Sequence, residues 1–147
     1  MLRVYEFEIF KDEGLFLALP YDFDGGTQGG SFAEACEMAA SWLQCECEER
    51  TMHDKPLPEP SFGNEPKNGG KTVIVAVSAE KDTVRKVRAA QAAEMLGVTR
   101  GRVSQMISTG QLESFRERGT VWVTEDSIEA RLAEQPKAGR PRKAVMA

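Results

Sequence analysis

The stretch from Arg88 to Leu112, RAAQAAEMLGVTRGRVSQMISTGQL, leaves this chain few options. Ala89, Ala90, Ala93 and Leu96 recur at helical spacing, with Glu94 on the wet side. Gly97 follows at once and suits the left-handed residue that ends a helix. Val98 supplies an apolar plug at the turn. Thr99 is a good N-cap for a second helix from Arg100 to about Ser108. Val103, Met106 and Ile107 give that helix an inward stripe, and Gly110 closes it. Arg100, Arg102, Ser104 and Gln105 then point outward. Two short helices joined this tightly read as a helix-turn-helix. Arg, Ser and Gln on the first turns of its second helix are the side chains that reach phosphates and base edges, with Thr99 in support. A plain helical hairpin with a solvated face has the same spacing, so the flanking sequence must decide.

Leu112 to Val123, LESFRERGTVWV, reads as two short strands around Arg118-Gly119-Thr120. Phe115, Val121 and Val123 are expected to pack inward. Arg116 and Arg118 sit near the tip, where a basic hairpin can lie along a phosphate backbone. Thr124 caps a last helix, Glu125 to about Glu134, with Ile128 and Leu132 at i, i+4. Ser127 stands where a full capping box has Glu or Gln. On AAEMLGVTRGRVSQMISTGQLESF, the hairpin and VTEDSIEARL, the segment Arg88 to Leu132 resembles the winged helix-turn-helix of excisionase- and MerR-like proteins. The resemblance implies a DNA-binding class and says nothing of the operator.

Charge divides the chain. Residues 1–70 hold five basic against fourteen acidic side chains, a balance of −9, and the remainder holds fourteen against nine, a balance of +5. An acidic half repels nucleic acid and a basic half attracts it. The expected organisation is an N-terminal domain over 1–78, a basic linker over 79–87, a DNA-binding domain over 88–135 and a basic tail over 136–147. In the tail, Arg140 and Arg142 lie in a Gly-Arg-Pro-Arg run suited to a narrow minor groove.

In the acidic half, Leu2 to Phe10 alternates Tyr5, Phe7 and Ile9 with Val4, Glu6 and Glu8. That predicts a strand with one buried face, Glu6 and Glu8 lying on the wet one. Lys11 to Gly14 is a four-residue turn, and Leu15 to Leu19 a second strand ended by Pro20. Tyr21 to Gly30 is a glycine-rich loop. Ser31 and Glu34 form a capping box opening a long helix with an apolar stripe of Ala35, Met38, Ala39, Trp42 and Leu43. Asp54 to Pro66 is proline-rich and extended. Thr72 to Val77 is apolar on both faces, which places it centrally in a sheet. The fold class expected is α+β, a three-stranded sheet covered by one helix, followed by a mainly α winged helix-turn-helix.

YEFEIFKDEGLFLALP, TQGGSFAEACEMAASWL, DKPLPEPS and the closing strand together resemble the HicB antitoxin domain over Leu2 to Val77. The resemblance implies a partial ribonuclease-H-like fold, a basic HicA-like toxin as protein partner, and repression of the protein's own operon through double-stranded DNA. The acids Asp22, Asp24, Glu46, Glu48 and Glu49 are the expected toxin contacts. A single reading module covers few base pairs, so a homodimer or higher even oligomer is expected. Alternatives are a DNA-binding regulator or excisionase-like architectural factor without a toxin, and a pure protein-interaction module.

No catalytic role is expected. Glu6, Glu8, Asp22 and Asp24 are the candidates for a ribonuclease-H-type carboxylate metal site, and no acid in the Thr72–Val77 strand joins them. No Gly-rich phosphate loop carries a Lys. Cys45 and Cys47 are two apart on a helix and face different sides, and the lone His53 gives no zinc spacing. The three cysteines are expected to be reduced packing residues, with no metal or cofactor. The N-terminus has no apolar targeting core and no run reaches membrane-spanning length, so a cytoplasmic protein is expected.

Overall fold

Tyr5, Phe7 and Ile9 alternate with Glu6 and Glu8, and the backbone there forms an eleven-residue strand, β1 (Leu2–Asp12). It runs two residues past the expected end. Glu13 and Gly14 alone make the turn, with φ of 50° and 83°. Positive φ at both central residues is the signature of a type I′ hairpin, whose twist matches that of the strands. β2 (Leu15–Pro20) returns along β1, with Phe7 opposite Pro20 and Asp12 opposite Leu15. The glycine-rich stretch expected to be loop contains a third strand, β3 (Thr27–Gly29), paired to β2. Gly29 is required there: a Cβ would stand 2.6 Å from the backbone nitrogen of Ala35.

Ser31 then caps the helix α1 (Phe32–Met52), accepting from the Glu34 amide at 3.1 Å. Glu34 reaches back to the Gly30 amide at 2.9 Å, one residue earlier than in a standard capping box. The buried stripe is Ala35, Ala39, Leu43 and Cys47, with Trp42 half-buried beside it. Met38, expected inside, is exposed. β4 (Lys71–Ser78) pairs antiparallel with β1, Tyr5 opposite Val75. The sheet therefore has four strands in the order β3-β2-β1-β4. β4, expected at the centre, lies at an edge, and β1 is central. The core between sheet and helix gathers Tyr5, Phe7, Ile9, Ala18, Phe23, Leu43 and Val75.

The computed structural model describes residues 1–134 and divides into two compact units, Met1–Thr83 and Val84 onward. The residues read as a basic linker are structured. Ala79 is buried in the first unit's core, Lys81–Thr83 form a 3-10 turn, and β5 (Lys86–Arg88) belongs to the second unit's sheet.

In the second unit, β5 leads into α2 (Ala89–Leu96) and α3 (Arg100–Ser108). β6 (Ser114–Glu117) and β7 (Thr120–Thr124) form a hairpin, and β7 also pairs with β5, giving the order β5-β7-β6. Residues 125–134 form a last helix, α4. Thr124 caps it, accepting from the Ser127 amide at 3.3 Å, while the Ser127 hydroxyl donates to the Thr124 carbonyl at 2.9 Å. Ala92, Ala93, Leu96, Val103, Met106, Leu112, Val123 and Ile128 make the core. Among the described residues no helix is long and apolar enough to cross a membrane.

Candidate nucleic-acid interface

The turn between α2 and α3 is set by Gly97, whose φ of 69° costs a glycine nothing. The Val98 amide donates to the Ala93 carbonyl at 3.0 Å, closing the helix end. Thr99 caps α3, its hydroxyl oxygen accepting from the Arg102 amide at 3.1 Å. Its acceptor role thus goes first to the helix. Val103 and Met106 are fully buried and fix the roll of α3. That leaves Arg100, Ser104 and Gln105 exposed and Arg102 half-buried on the other face. Arg102 donates from Nη1 to Gln105 Oε1 at 2.8 Å. The pair holds the guanidinium in place and leaves its remaining N–H groups, and the amide nitrogen of Gln105, as outward donors.

The hairpin follows the sequence reading in its tip and departs from it in its faces. Arg118 and Gly119 form a two-residue turn with φ of 51° and 78°, so Arg118 projects from the end. Arg116 is exposed one strand residue away from Glu117. Phe115 lies opposite Trp122, which puts it on the face away from Val121 and Val123. It is buried, but outside the core that contains Val123. Arg85 is engaged by Asp126 at 3.1 Å and Glu129 at 2.9 Å, and Glu129 foremost raises its pKa.

The structure also brings together two cations from either side of the expected boundary between linker and DNA-binding domain. Lys86 Nζ lies 5.3 Å and Arg88 Cζ 5.5 Å from the centroid of the Trp122 ring. Both are within cation–π range. The residues involved are Lys86-Val87-Arg88 facing Trp122-Val123-Thr124, a match that only the antiparallel β5–β7 pairing makes visible. Arg140 and Arg142 lie outside the described residues.

In the first unit the five acids read as protein contacts are mostly occupied locally. Asp22 accepts from the Ser61 amide at 2.9 Å and the Ser61 hydroxyl at 2.7 Å. Glu46 pairs with Arg50 at 2.9 Å and Glu49 with His53 at 3.2 Å. Glu48 accepts from Gln44 at 3.2 Å and Thr83 at 2.5 Å. Asp24 is exposed. Arg50 and Thr83 account for much of the acidic helix end without an outside partner.

Glu6 and Glu8 are the larger surprise. The alternation along β1 puts them on its wet face, yet they are 5% and 2% exposed. Residues 61–70 cross that face as a strap. Glu6 accepts from the amides of Gly63 and Asn64 at 3.1 and 2.9 Å, and from the Asn64 side chain. Glu8 accepts from the amides of Lys67, Asn68 and Gly70 at 3.0, 2.8 and 3.1 Å, and from the Asn68 side chain. The Asn64 amide above all holds Glu6 below the ordinary carboxylate range. Burial alone would raise Glu8, but its donors together outweigh burial and hold it low. Cys47 is buried against the core, and burial pushes its thiol up to about 11. Cys36 is half-buried, and Cys45, expected to pack, is exposed.

No protein-family model and no curated protein matches the sequence. Among solved structures, a chain described as a toxin–antitoxin complex from Streptococcus pneumoniae is similar at 17% identity. The match covers 75% of this chain and 99% of that one, with a TM-score of 0.48.

Proposed function

We propose that this chain is an antitoxin-like transcriptional repressor. In this reading the second unit is a winged helix-turn-helix that binds operator DNA, and the first captures a basic toxin of the HicA type. The outward face of α3 carries the DNA half. Arg100, Arg102, Ser104 and Gln105 stand together on a helix whose roll is fixed by buried Val103 and Met106. Such a helix lies in a major groove, with Arg102 and Gln105 at base edges and Arg100 and Ser104 at phosphates. Arg116 and Arg118 on the hairpin lie along the backbone.

The toxin half rests on the HicB-like motifs and on the charge of the first unit. Residues 1–83 hold seven basic against sixteen acidic side chains. Complementary charge steers a basic partner toward such a surface. Asp24 and Glu49 are the exposed members of the five acids, and Asp22, Glu46 and Glu48 are engaged by local partners. Catalysis is not part of the reading. Glu6, Glu8 and Asp22, on which a metal-dependent ribonuclease would draw, accept amide and hydroxyl donors from the strap.

The test is binding to DNA from just upstream of the coding sequence against scrambled DNA, across a salt series. Preference for the upstream DNA that survives moderate salt supports repression. Equal binding to both, lost as salt rises, reflects phosphate contacts alone and sinks it.

A further inference from the structure

β4 is an eight-residue edge strand, and among the described residues only β1 pairs with it. Natural sheets blunt such edges with a proline, a bulge, an inward charge or extreme shortness. The opposite edge of this sheet is blunted, since β3 has three residues and is flanked by glycines. β4, KTVIVAVS, has none of these devices, and its one charge is Lys71 at its first position. Ile74, in the middle of the strand, is 65% exposed, and Ala76 beside it on the same face is exposed too. Val75 and Val77 are buried on the other face.

We propose that β4 pairs antiparallel with β4 of a second copy, joining two four-stranded sheets into one of eight strands. A two-fold axis normal to the sheet keeps each face on its own side, as an isologous contact requires. With the axis at Val75, Ile74 of each copy meets Ala76 of the other, Val73 meets Val77, and Thr72 meets Ser78. Lys71 then falls opposite Ala79, beside Glu80 of the other copy. The Glu80 side chain is 37% exposed and pairs with the N-terminal amine of its own chain at 2.8 Å. The register thus sets apolar against apolar through the middle and opposite charges at both ends, with no like charges facing.

Charge also separates this occupant from a basic one. Two units with sixteen acids against seven bases repel at long range, so added salt tightens the self-paired form by screening. A basic foreign strand on the same edge would instead be loosened by salt. The proposal does not depend on DNA binding by the second unit.

The experiment is sedimentation of the full chain across a dilution series at two salt concentrations. The wild type is expected to form a dimer that dissociates on dilution and tightens with salt. Ile74→Lys, which sets lysines beside the axis, is expected to weaken it about tenfold or more. Because Ile74 is exposed, the far-UV spectrum should be unchanged. Hydrogen exchange on the wild type gives a readout without substitution: the outward amides of β4 should exchange more slowly at high concentration than at low. A wild type that is monomeric throughout overturns the proposal. So does an Ile74→Lys dimer as tight as the wild type, or β4 amides indifferent to concentration.

Discussion

Glu8→Gln tests whether the first unit is held together by buried carboxylates rather than by its apolar layer alone. Glu8 Oε1 accepts from the Lys67 amide and the Asn68 side chain, and Oε2 from the amides of Asn68 and Gly70. Glutamine has the same shape. Its amide nitrogen, in place of either oxygen, faces a backbone N–H that can no longer donate. The Asn68 side chain can flip to recover one contact; the backbone amides cannot. One lost charge-assisted bond, with its donor left buried, costs about 2–3 kcal/mol. An 83-residue unit has about 4–12 kcal/mol in all, so the loss is a large fraction. The assay is urea unfolding followed by Trp42 fluorescence in a Trp122→Phe background, because Trp42 packs against Phe7 and Phe23 in that unit. The pH dependence has a defined sign. Glu8 is held below its ordinary 4.5, so its contribution is full above about pH 4.5 and is lost as pH falls through the depressed folded value. Glu8→Gln should flatten that acid limb. A variant within about 0.5 kcal/mol of wild type at neutral pH, the scatter of an ordinary surface substitution, would refute the reasoning.

Three further outcomes follow from the same geometry. Gly70→Ala should destabilise the first unit in the same urea assay, since its Cβ would collide with the Ile9 carbonyl oxygen and lie 2.6 Å from Phe10 Cβ. Arg118→Asn should stabilise the second unit by about 0.5–1 kcal/mol in thermal unfolding, because Asn tolerates the positive φ of 51° better than Arg. The same variant should bind upstream and scrambled DNA more weakly by the same factor, with a shallower salt slope. At pH 8, alkylation followed by mass spectrometry should label Cys45 well before Cys47, whose buried thiol is pushed up to about 11; equal rates would mean that α1 is not packed as described.

The local signals in the sequence were sound. Gly97, Thr99 and the Val103–Met106 spacing set out α2, α3 and the turn, and Ser31 with Glu34 marked the start of α1. Thr124 and the Ile128–Leu132 spacing did the same for α4. What escaped was non-local. Glu6 and Glu8 look like solvated residues until donors some sixty positions away fold over them. β4 is apolar on both faces, which suggests a central strand, and nothing in the strand itself says that one side stays unpaired. Glycines at 25, 26, 29 and 30 hid β3, because Gly29 serves a close helix approach and not a loop. Cys47 was seen as one of three similar thiols, yet it belongs to the buried stripe in which Met38 was expected. Lys86, in the expected linker, and Arg88, at the start of the expected DNA-binding domain, meet over Trp122 only through the pairing with β7.

The most direct measurement on the central claim compares wild type with the Arg102→Ala/Gln105→Ala double variant for binding to its own upstream DNA and to scrambled DNA at physiological salt. These two side chains, joined at 2.8 Å, are the proposed base-reading pair. The account predicts that the double variant loses most of its preference for the upstream sequence, at about 1–3 kcal/mol for each base contact removed, while its weaker binding to scrambled DNA and its thermal unfolding stay near wild type. An unchanged preference would contradict the account, because the face of α3 would then not be what reads the sequence.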